Sequence, residues 1–507
     1  MTINYFRYCM ILLSALGLVA SEAYFAMAIA SDAVALEVTR AEDDGRPGSL
    51  RWAIEQSGKS TGPHIINLKP RDGEPLVIRL RKELPPITMP VEIRGNWTKD
   101  SLGAPQVILD GSLLVDLKPM ESYGNPLNCP GVVPGTYGPN VRATANAAVT
   151  IADTGNVRLS GFEIRNFCIG VLSLRSHDNV ISNMRFENNL GGAAVLLSGD
   201  DGTSAGGPTA GTGRHIVEDN IFLNNSDSID LARGDRGTIL RRNWIVIDGR
   251  GPAAPSSGVE ICCDAHEATI EDNYLAGFAE ALQIGGNGHR IRGNVLENNA
   301  VALAMQGKDN VAEGNVARGN RAGIVIGVHG SARLSRNLSY DNGRDISACA
   351  PGTSRAGVCH QRDWDVSAVN LSFNGFKGSI ARAKACDNDR SDGESIPQSP
   401  KLLSAKLADN RLTVRGYLEA CPGQDFSVEL FAGEPLPSGA ASARLFLATV
   451  QARTNEHGAA EFVIDRLPIL SISGDMAVTA IATDMKGHSS ELASSQPIET
   501  DGRALSD

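Results

Sequence analysis

Short stretches of alternating apolar and polar residues recur along the middle of the chain, and each is closed by an asparagine. Seven segments share this form: 180–183, 217–220, 240–243, 270–273, 291–294, 311–315 and 334–337. Asn273, Asn294, Asn315 and Asn337 follow one another at intervals of 21, 21 and 22 residues. A second apolar strand comes after most of them, for example 229–231. A repeat of this length predicts a coil of parallel strands, in which equivalent residues stack in columns about 4.8 Å apart.

Asparagine is expected at the recurrent bend, because it tolerates a left-handed backbone and can hydrogen-bond along its own column. Two longer intervals between the asparagines predict insertions at 199–213 and 250–257. These insertions are rich in Gly, Pro, Ala and Ser, and they could wall a cleft on the coil surface.

Different patterns flank the coil. A helix over 49–57 is predicted, with Ser49 as its N-cap and Gly58 as its C′ residue, followed by strands at 64–68, 76–80, 91–94 and 107–109. After residue 400 the pattern becomes a period of two, which predicts a small antiparallel β-sandwich. The five segments that show this period are 412–418, 426–431, 444–450, 460–464 and 476–482.

The fold class predicted is therefore all-β, a coil of parallel strands followed by a small antiparallel β-sandwich. The predicted divisions are 1–30 signal peptide, 31–345 N-terminal cap and β-helix, 346–398 irregular cap or linker, 399–498 β-sandwich and 499–507 tail. The first of these combines Arg7, an apolar run over 10–20 and small residues at 28–30, which is typical of a secretory signal. We expect an exported protein, periplasmic or extracellular, with no integral membrane segment after signal removal.

Composition agrees with this architecture. Aromatic residues are 5% of the chain and glycines number 54, which suits a narrow aliphatic core with many bends. The net charge of −11 argues against a nucleic-acid partner. Eight cysteines remain after the signal, and they predict disulfides, with Cys349–Cys359 and Cys386–Cys421 as pairs. The adjacent Cys262 and Cys263 could form a strained bridge, remain thiols or pair elsewhere.

One outward column carries candidate chemistry. If the second strands align, Asp230 and Glu260 stand on neighbouring turns. The full column reads Leu196, Asp230, Glu260, Gln283, Ala304 and Val325. Like charges directly opposed require a cation, a shared proton or a metal ion.

Polar neighbours extend this patch. The predicted catalytic residues are Asp227, Asp230, Arg233, Glu260, Asp264 and His266, and Asp235 and Glu280 lie near them in the repeat. The predicted substrate-binding residues are Arg241, Arg242, Trp244, Gln283, Asn287 and His289. His215, which precedes a strand, is expected at the surface.

Three interpretations of the patch stay open. Two carboxylates could hydrolyse a glycosidic bond as general acid and base. Alternatively, carboxylates could hold Ca²⁺ against a uronate while Arg233 or a histidine removes a proton, giving β-elimination. The third is a solvated face in which Arg233 neutralises Asp230. No cofactor is required with certainty, calcium is the possible one, and no metal ligand is assigned. Because no lysine lies between Lys118 and Lys308, a lysine base is disfavoured.

The repeats resemble those of pectate lyases and related carbohydrate-active β-helix proteins, which implies that the coil is a right-handed parallel β-helix. Residues 44–51 resemble the N-terminal cap of bacterial exported β-helix proteins, and 482–491 resemble the last hairpin of immunoglobulin-like modules, which commonly act as spacers or attachment units. Residues 225–230 resemble the Asn-Thr-Asp-Gly-x-Asp motif of polygalacturonases, in which Asp227 would match a catalytic aspartate. The next two motifs of that family are replaced by Ser256-Ser257 and by 279–281, Ala-Glu-Ala.

The resemblance implies an exported enzyme with a polysaccharide partner, acting as a lyase or a glycoside hydrolase. The alternative is a non-catalytic glycan-binding or surface-adhesion protein.

Overall fold

The computed structural model describes most of the coil and of the C-terminal module. It covers residues 33–59, 62–71, 73–115, 146–200, 210–253, 256–326, 332–342, 397–435, 442–469, 475–487, 489–490 and 492–500, with four two-residue strands between 345 and 367. The predicted signal peptide lies outside the described residues.

Three parallel sheets form the walls of the coil, which confirms the predicted parallel β-helix. Sheet 1 contains Val34–Val38, His64–Leu68, Val91–Arg94, Arg158–Ser160, Val180–Ser182, Ile216–Glu218, Ile239–Arg241, Thr269–Glu271, Arg290–Arg292, Asn310–Glu313 and Ala332–Ser335. Sheet 2 contains Leu76–Arg79, Val107–Asp110, Glu163–Arg165, Arg185–Glu187, Ile221–Leu223, Trp244–Val246, Tyr274–Ala276, Val295–Glu297, Val316–Arg318 and Leu338–Tyr340. Sheet 3 contains Ala147–Ala152, Ile169–Leu174, Ala193–Ser198, Asp227–Ala232, Ser257–Ile261, Glu280–Ile284, Val301–Met305 and Ala322–Ile326.

An asparagine ladder ties the turns together at the bend between sheets 1 and 2. Each side-chain oxygen accepts the backbone N–H of the equivalent residue on the preceding turn at 2.9–3.1 Å. The ladder comprises Asn220, Asn243, Asn273, Asn294, Asn315 and Asn337.

Two details of the predicted ladder are wrong. Asn183 stands outside it, because Ser182 pairs with Glu218, so Asn183 aligns with Asp219. The left-handed backbone also falls one residue before each ladder asparagine, as at Asp219 with φ 56° and Asp272 with φ 56°. The ladder asparagine therefore contributes the side-chain amide hydrogen bonds, while the residue before it adopts the left-handed backbone that forms the bend.

The N-terminal end of the coil is closed by one helix, Leu50–Ser57. Ser49 is its N-cap, as predicted, and accepts the backbone N–H of Trp52. Gly58 is the C-cap residue of this helix, with φ −78°, rather than the predicted C′ residue. Leu50, Ala53 and Ile54 are buried in the coil core. Within the described part of the chain, no helix has the length and apolar character needed to cross a membrane.

The C-terminal module is one seven-stranded sheet with a core of its own. Its order is Leu445–Arg453, Asp425–Gly433, Ala477–Asp484, Gln496–Thr500, Lys401–Ala408, Arg411–Glu419 and Ala459–Pro468. The sheet is mixed rather than purely antiparallel, because the first strand in the sequence, Lys401–Ala408, runs parallel to the last, Gln496–Thr500. The period-two pattern missed these two strands. Between the coil and this module, Asp345–Ile346 pairs with Val366–Ser367 and Ser354–Arg355 pairs with Val358–Cys359, both antiparallel.

The module closes the other end of the coil. Phe431, Ala443 and Ile481 belong to the coil core. Glu429, which is 6% exposed, accepts the hydroxyl of Ser335 at 2.8 Å and the backbone N–H of Arg336 at 2.7 Å. The module therefore covers the last turn of the coil, which the spacer interpretation did not include.

Candidate functional site

The acidic column predicted from the repeat exists on the outer face of sheet 3. Asp230 pairs in register with Glu260, and Glu260 with Gln283. Leu196, Ala304 and Val325 continue the column, as predicted. The residues on either side of Asp230, Ile229 and Leu231, are fully buried in the core, so Asp230 points outward.

Asp227 lies on the same strand, three residues before Asp230. Its Oδ1 accepts the Ser256 hydroxyl at 2.5 Å and the Ser257 backbone N–H at 2.9 Å. These serines occupy the place at which the polygalacturonase motif has two acids. The departure from that motif thus has a physical role here, which is to hold Asp227 in one orientation. We call Asp227, Asp230 and Glu260 the acidic patch.

Burial and mutual repulsion set the protonation of the acidic patch. Burial, together with the charge of Asp230, raises the pKa of Asp227 to about 7, although the two serine donors oppose the rise. Burial raises the pKa of Glu260 well above its usual range, and the nearby carboxylates Asp227, Asp230 and Glu280 add to the shift. A patch of this kind holds at least one proton near neutral pH, so it offers a proton donor beside a proton acceptor.

Arg233 follows the same strand in a left-handed conformation, with φ 49°. Its Nε lies 3.4 Å from Oδ1 of Asp200, whose side chain is almost completely buried, while the Arg233 side chain is 34% exposed. The structure thus pairs this guanidinium with Asp200, a residue that the sequence interpretation did not identify. Asp200 lies at the start of the predicted insertion 199–213, and that position is the only signal that could have drawn attention to it.

Asp264, His266 and Asn287 lie together at the bend that leads from sheet 3 to sheet 1. Nε2 of His266 is 2.7 Å from Asp264 Oδ1. Nδ1 of His266 accepts the backbone N–H of Asn287 at 3.0 Å, so the imidazole proton is on Nε2 and points at Asp264. In addition, the Asn287 side chain accepts the backbone N–H of Lys308 at 2.7 Å. This cluster stands beyond the strand that carries Glu260.

Four predicted substrate-binding residues are not brought to the acidic patch. Arg241 is on sheet 1 and pairs with Glu218 at 2.6 Å, and Arg242, at the next bend, pairs with Asp219. Trp244 is on sheet 2, with its side chain against Tyr274. The chain bends once between sheets 1 and 2 and again before it reaches sheet 3. These three side chains therefore lie on faces of the coil other than the one that carries the acidic patch.

His289 is the fourth predicted substrate-binding residue that lies away from the acidic patch. It is completely buried, and its Nδ1 accepts the backbone N–H of Ala268 at 3.1 Å. Burial lowers the pKa of His289 to about 4. His215 is likewise buried, which corrects its expected surface position.

Cys262 follows Glu260 on the same turn and is a thiol, so the strained bridge to Cys263 is absent. Its contact with the Cys263 side chain and its burial raise its thiol pKa. Cys168 is disulfide-bonded. The predicted pairs Cys349–Cys359 and Cys386–Cys421 each include a residue outside the described ranges and stay predictions.

Metal ligation is not visible in the described residues, where no three His, Cys, Asp or Glu side chains are grouped so as to hold an ion.

Comparison with known proteins gives one extensive relative. No family model matches the chain. The relative is a protein of Acinetobacter baylyi strain ADP1 named 3-dehydroshikimate dehydratase, which is 34% identical over 480 residues, 90% of this chain and 93% of the relative.

Solved structures show weaker likenesses. The Streptococcus pneumoniae surface adhesin PfbA is 12% identical over 60% of this chain and 91% of its own, with a TM-score of 0.36. The periplasmic alginate epimerase AlgG is 12% identical over 56% of this chain and 64% of its own, with a TM-score of 0.30. Pantoea stewartii WceF, a glycan biofilm modifying enzyme, is 8% identical over 90% of this chain and 66% of its own, with a TM-score of 0.29.

Proposed function

The chain belongs to the family of the Acinetobacter baylyi 3-dehydroshikimate dehydratase, and we propose that it removes water from 3-dehydroshikimate or a closely related cyclic hydroxyketo acid. The relative, similar over 90% of the chain, supports the choice of substrate. The observation that carries the reaction type is the in-register pair Asp230 and Glu260 with Asp227 beside it.

The chemistry of this substrate calls for an acid and a base. Its ring carries a ketone, a hydroxyl on the β-carbon and a carboxylate. A base takes the proton from the α-carbon, the electron pair forms an enolate, and the β-carbon–oxygen bond breaks as the hydroxyl receives a proton and leaves as water. A second ring proton is then lost to solvent while the carbonyl oxygen gains one, which yields the aromatic 3,4-dihydroxybenzoate.

The acidic patch supplies both proton-transfer groups. Glu260 is surrounded by carboxylates, so it retains its proton and acts as the acid toward the leaving hydroxyl. Asp227 receives two hydrogen bonds from Ser256 and Ser257, which stabilise its ionised form, so it acts as the base. The charge of Asp230 raises the pKa of both groups, so it favours the retention of a proton within the acidic patch.

Arg233 supplies the cation for the carboxylate of the substrate. A guanidinium can bind a carboxylate through two parallel hydrogen bonds. One edge of Arg233 faces the buried Asp200, which orients it, and the partly exposed remainder is available to a ligand. This ion pair also limits how far the guanidinium can turn toward the acidic patch.

The same reaction step underlies the β-elimination considered from the sequence. Both reactions remove a proton next to a carbonyl group and expel a β-oxygen. Polysaccharide cleavage stays a prediction, and so does non-catalytic glycan binding. The observation that favours a glycan is Trp244, which is 52% exposed beside Tyr274.

One experiment separates these functions. The purified mature chain is incubated with 3-dehydroshikimate, and 3,4-dihydroxybenzoate is identified by its ultraviolet spectrum and by chromatography. Parallel samples contain acidic and neutral polysaccharides, with and without Ca²⁺, and are assayed for unsaturated and reducing ends. We expect the aromatic product alone. Cleaved polysaccharide without any aromatic product, while the Acinetobacter relative is active under the same conditions, would overturn the proposal.

A further inference from the structure

Two buried titratable side chains, Asp235 and His215, lie at the turn that follows the strand Asp227–Ala232. Each side chain is 1% exposed, and His215 Nε2 is 3.6 Å from Asp235 Oδ2. Within the described structure, the carboxylate oxygens of Asp235 and Nε2 of His215 make no hydrogen bond of good geometry, and their polar neighbours are the Thr238 hydroxyl at Asp235 and the Ser176 backbone at His215. Buried polar groups without partners are costly, so an arrangement of this kind calls for a reason beyond packing.

The hydrogen bond on the other ring nitrogen fixes the tautomer of His215. Its Nδ1 accepts the backbone N–H of Asn179 at 3.3 Å. Burial lowers the pKa of His215 to about 3, so the ring is neutral and its one proton is on Nε2, facing Asp235. The imidazole therefore favours the ionised form of Asp235, whereas burial favours the protonated form and raises the pKa of Asp235 to about 7.

Asp235 is coupled to the acidic patch. The charge of Asp230 contributes to the raised pKa of Asp235, and this interaction is reciprocal. Arg233 and Gly234 both have left-handed backbones, with φ 49° and 80°, so Arg233 and Asp235 share one tight turn. The charged or titratable groups that act on His215 are His177, Asp178, Arg214 and Asp235, and those that act on Asp235 are Asp230 and His215, with the hydroxyl of Thr238.

The ladder at this corner does not itself require an imidazole. Asn179 accepts the backbone N–H of Val157 at 2.9 Å, and Asn310 accepts that of His289 at 2.9 Å. His215 and His289 make the same bond through Nδ1. Nε2 of both histidines faces backbone carbonyls, that of Ser176 at His215 and those of Gly285 and Ala265 at His289, but only His215 also faces a carboxylate.

We propose that Asp235, held by His215, is a positioning residue that takes up and releases one proton and thereby sets the charge state of Asp230 in the acidic patch. The proposal rests on the proposed function only for its effect on turnover. An ionised Asp235 repels the negative charge of Asp230 and favours its protonated form, whereas a protonated Asp235 lets Asp230 ionise.

The test uses Asp235→Asn, His215→Asn and, as a matched control, His289→Asn. Asparagine preserves the ladder bond in both histidine variants. We expect Asp235→Asn to move the acid limb of the kcat/KM profile toward higher pH by about 0.5–1 pH unit, because a more fully ionised Asp230 raises the pKa of the base Asp227. His215→Asn should move the limb less, in the same direction. His289→Asn should leave the limb in place. The proposal would be overturned if the variants changed kcat or Tm while the acid limbs of all three kcat/KM profiles stayed at the wild-type pH.

A second readout needs no turnover. A carboxyl group whose pKa is raised in the folded state destabilises the protein as pH rises from about 4 through 7. The Tm of Asp235→Asn relative to wild type should therefore increase between about pH 5 and about pH 8, whereas that of His289→Asn should not. If 3-dehydroshikimate is not consumed, the proposed function fails while this comparison still tests the pair. If the Tm difference between Asp235→Asn and wild type were the same at every pH, the proposed role of Asp235 would be overturned.

Discussion

Asp230 and Glu260 face the same surface from neighbouring strands of sheet 3, in direct register, so two carboxyl groups stand one turn of the coil apart. Such a pair is unfavourable when both groups are ionised. The fold tolerates the pair because burial and neighbouring charges raise the pKa of Glu260, which lets it keep a proton.

Glu260→Gln should lower kcat for the dehydration by about 10²–10⁴-fold, because it removes the proposed general acid. The fold should be retained, since glutamine already occupies the next position of the same column at Gln283. The control is Glu297→Gln, which changes an outward acid on sheet 2 that pairs with Arg318. A Glu260→Gln variant with kcat close to wild type would exclude Glu260 as the acid.

Ser256→Ala should raise the pKa of the proposed base, because it removes a hydroxyl donor to the Asp227 carboxylate. We expect the acid limb of the kcat/KM profile to move toward higher pH by about one unit. Ser257→Ala is the matched control, since Ser257 binds Asp227 through its backbone N–H, which the substitution keeps. Equal shifts in the two variants would contradict the assigned role of the Ser256 hydroxyl.

Arg233→Lys should raise KM for the anionic substrate by about tenfold or more, because lysine keeps the charge but loses the two parallel donors. The effect on kcat should be smaller. Steady-state kinetics with the carboxylate and with its methyl ester provide the check, since the ester should be affected little. Arg236→Lys, which changes an exposed arginine paired with Glu267, is the control. A similar loss for acid and ester would argue against a contact with the carboxylate.

Glu429→Ala should lower the free energy of unfolding by about 1–3 kcal/mol, because it leaves the Ser335 hydroxyl and the Arg336 N–H at the end of the coil without their acceptor. Thermal and urea unfolding measure this change. The exposed Glu461→Ala in the same module should change stability by only a few tenths of a kcal/mol. Identical unfolding curves for the two variants would show that the contact does not hold the module onto the coil.

The repeat predicted much of the architecture, because stacked turns bring residues of equal phase into register. Alignment of the second apolar strands of the repeats was sufficient to place Asp230 opposite Glu260, although the two residues are 30 positions apart in the sequence. Local signals also placed the N-cap Ser49 and the ends of the strands His64–Leu68 and Val91–Arg94.

Sequence spacing failed where a side chain turns a corner or finds a distant partner. Arg241, Arg242 and Trp244 are close to the strand Asp227–Ala232 in sequence, but bends place them on other faces of the coil. No repeat phase indicated that Asp200 would pair with Arg233, or that Ser256 would bind Asp227.

The sequence by itself determined the parallel coil and the register of its acidic column, since a regular repeat permits few other arrangements of its turns. Only the tertiary structure decided which polar groups are buried, and with them the raised pKa values of Asp227, Glu260 and Asp235. It also decided that the C-terminal module covers the last turn of the coil through Glu429. Burial and hydrogen bonding depend on atoms contributed by remote parts of the chain, so they follow from packing rather than from local pattern.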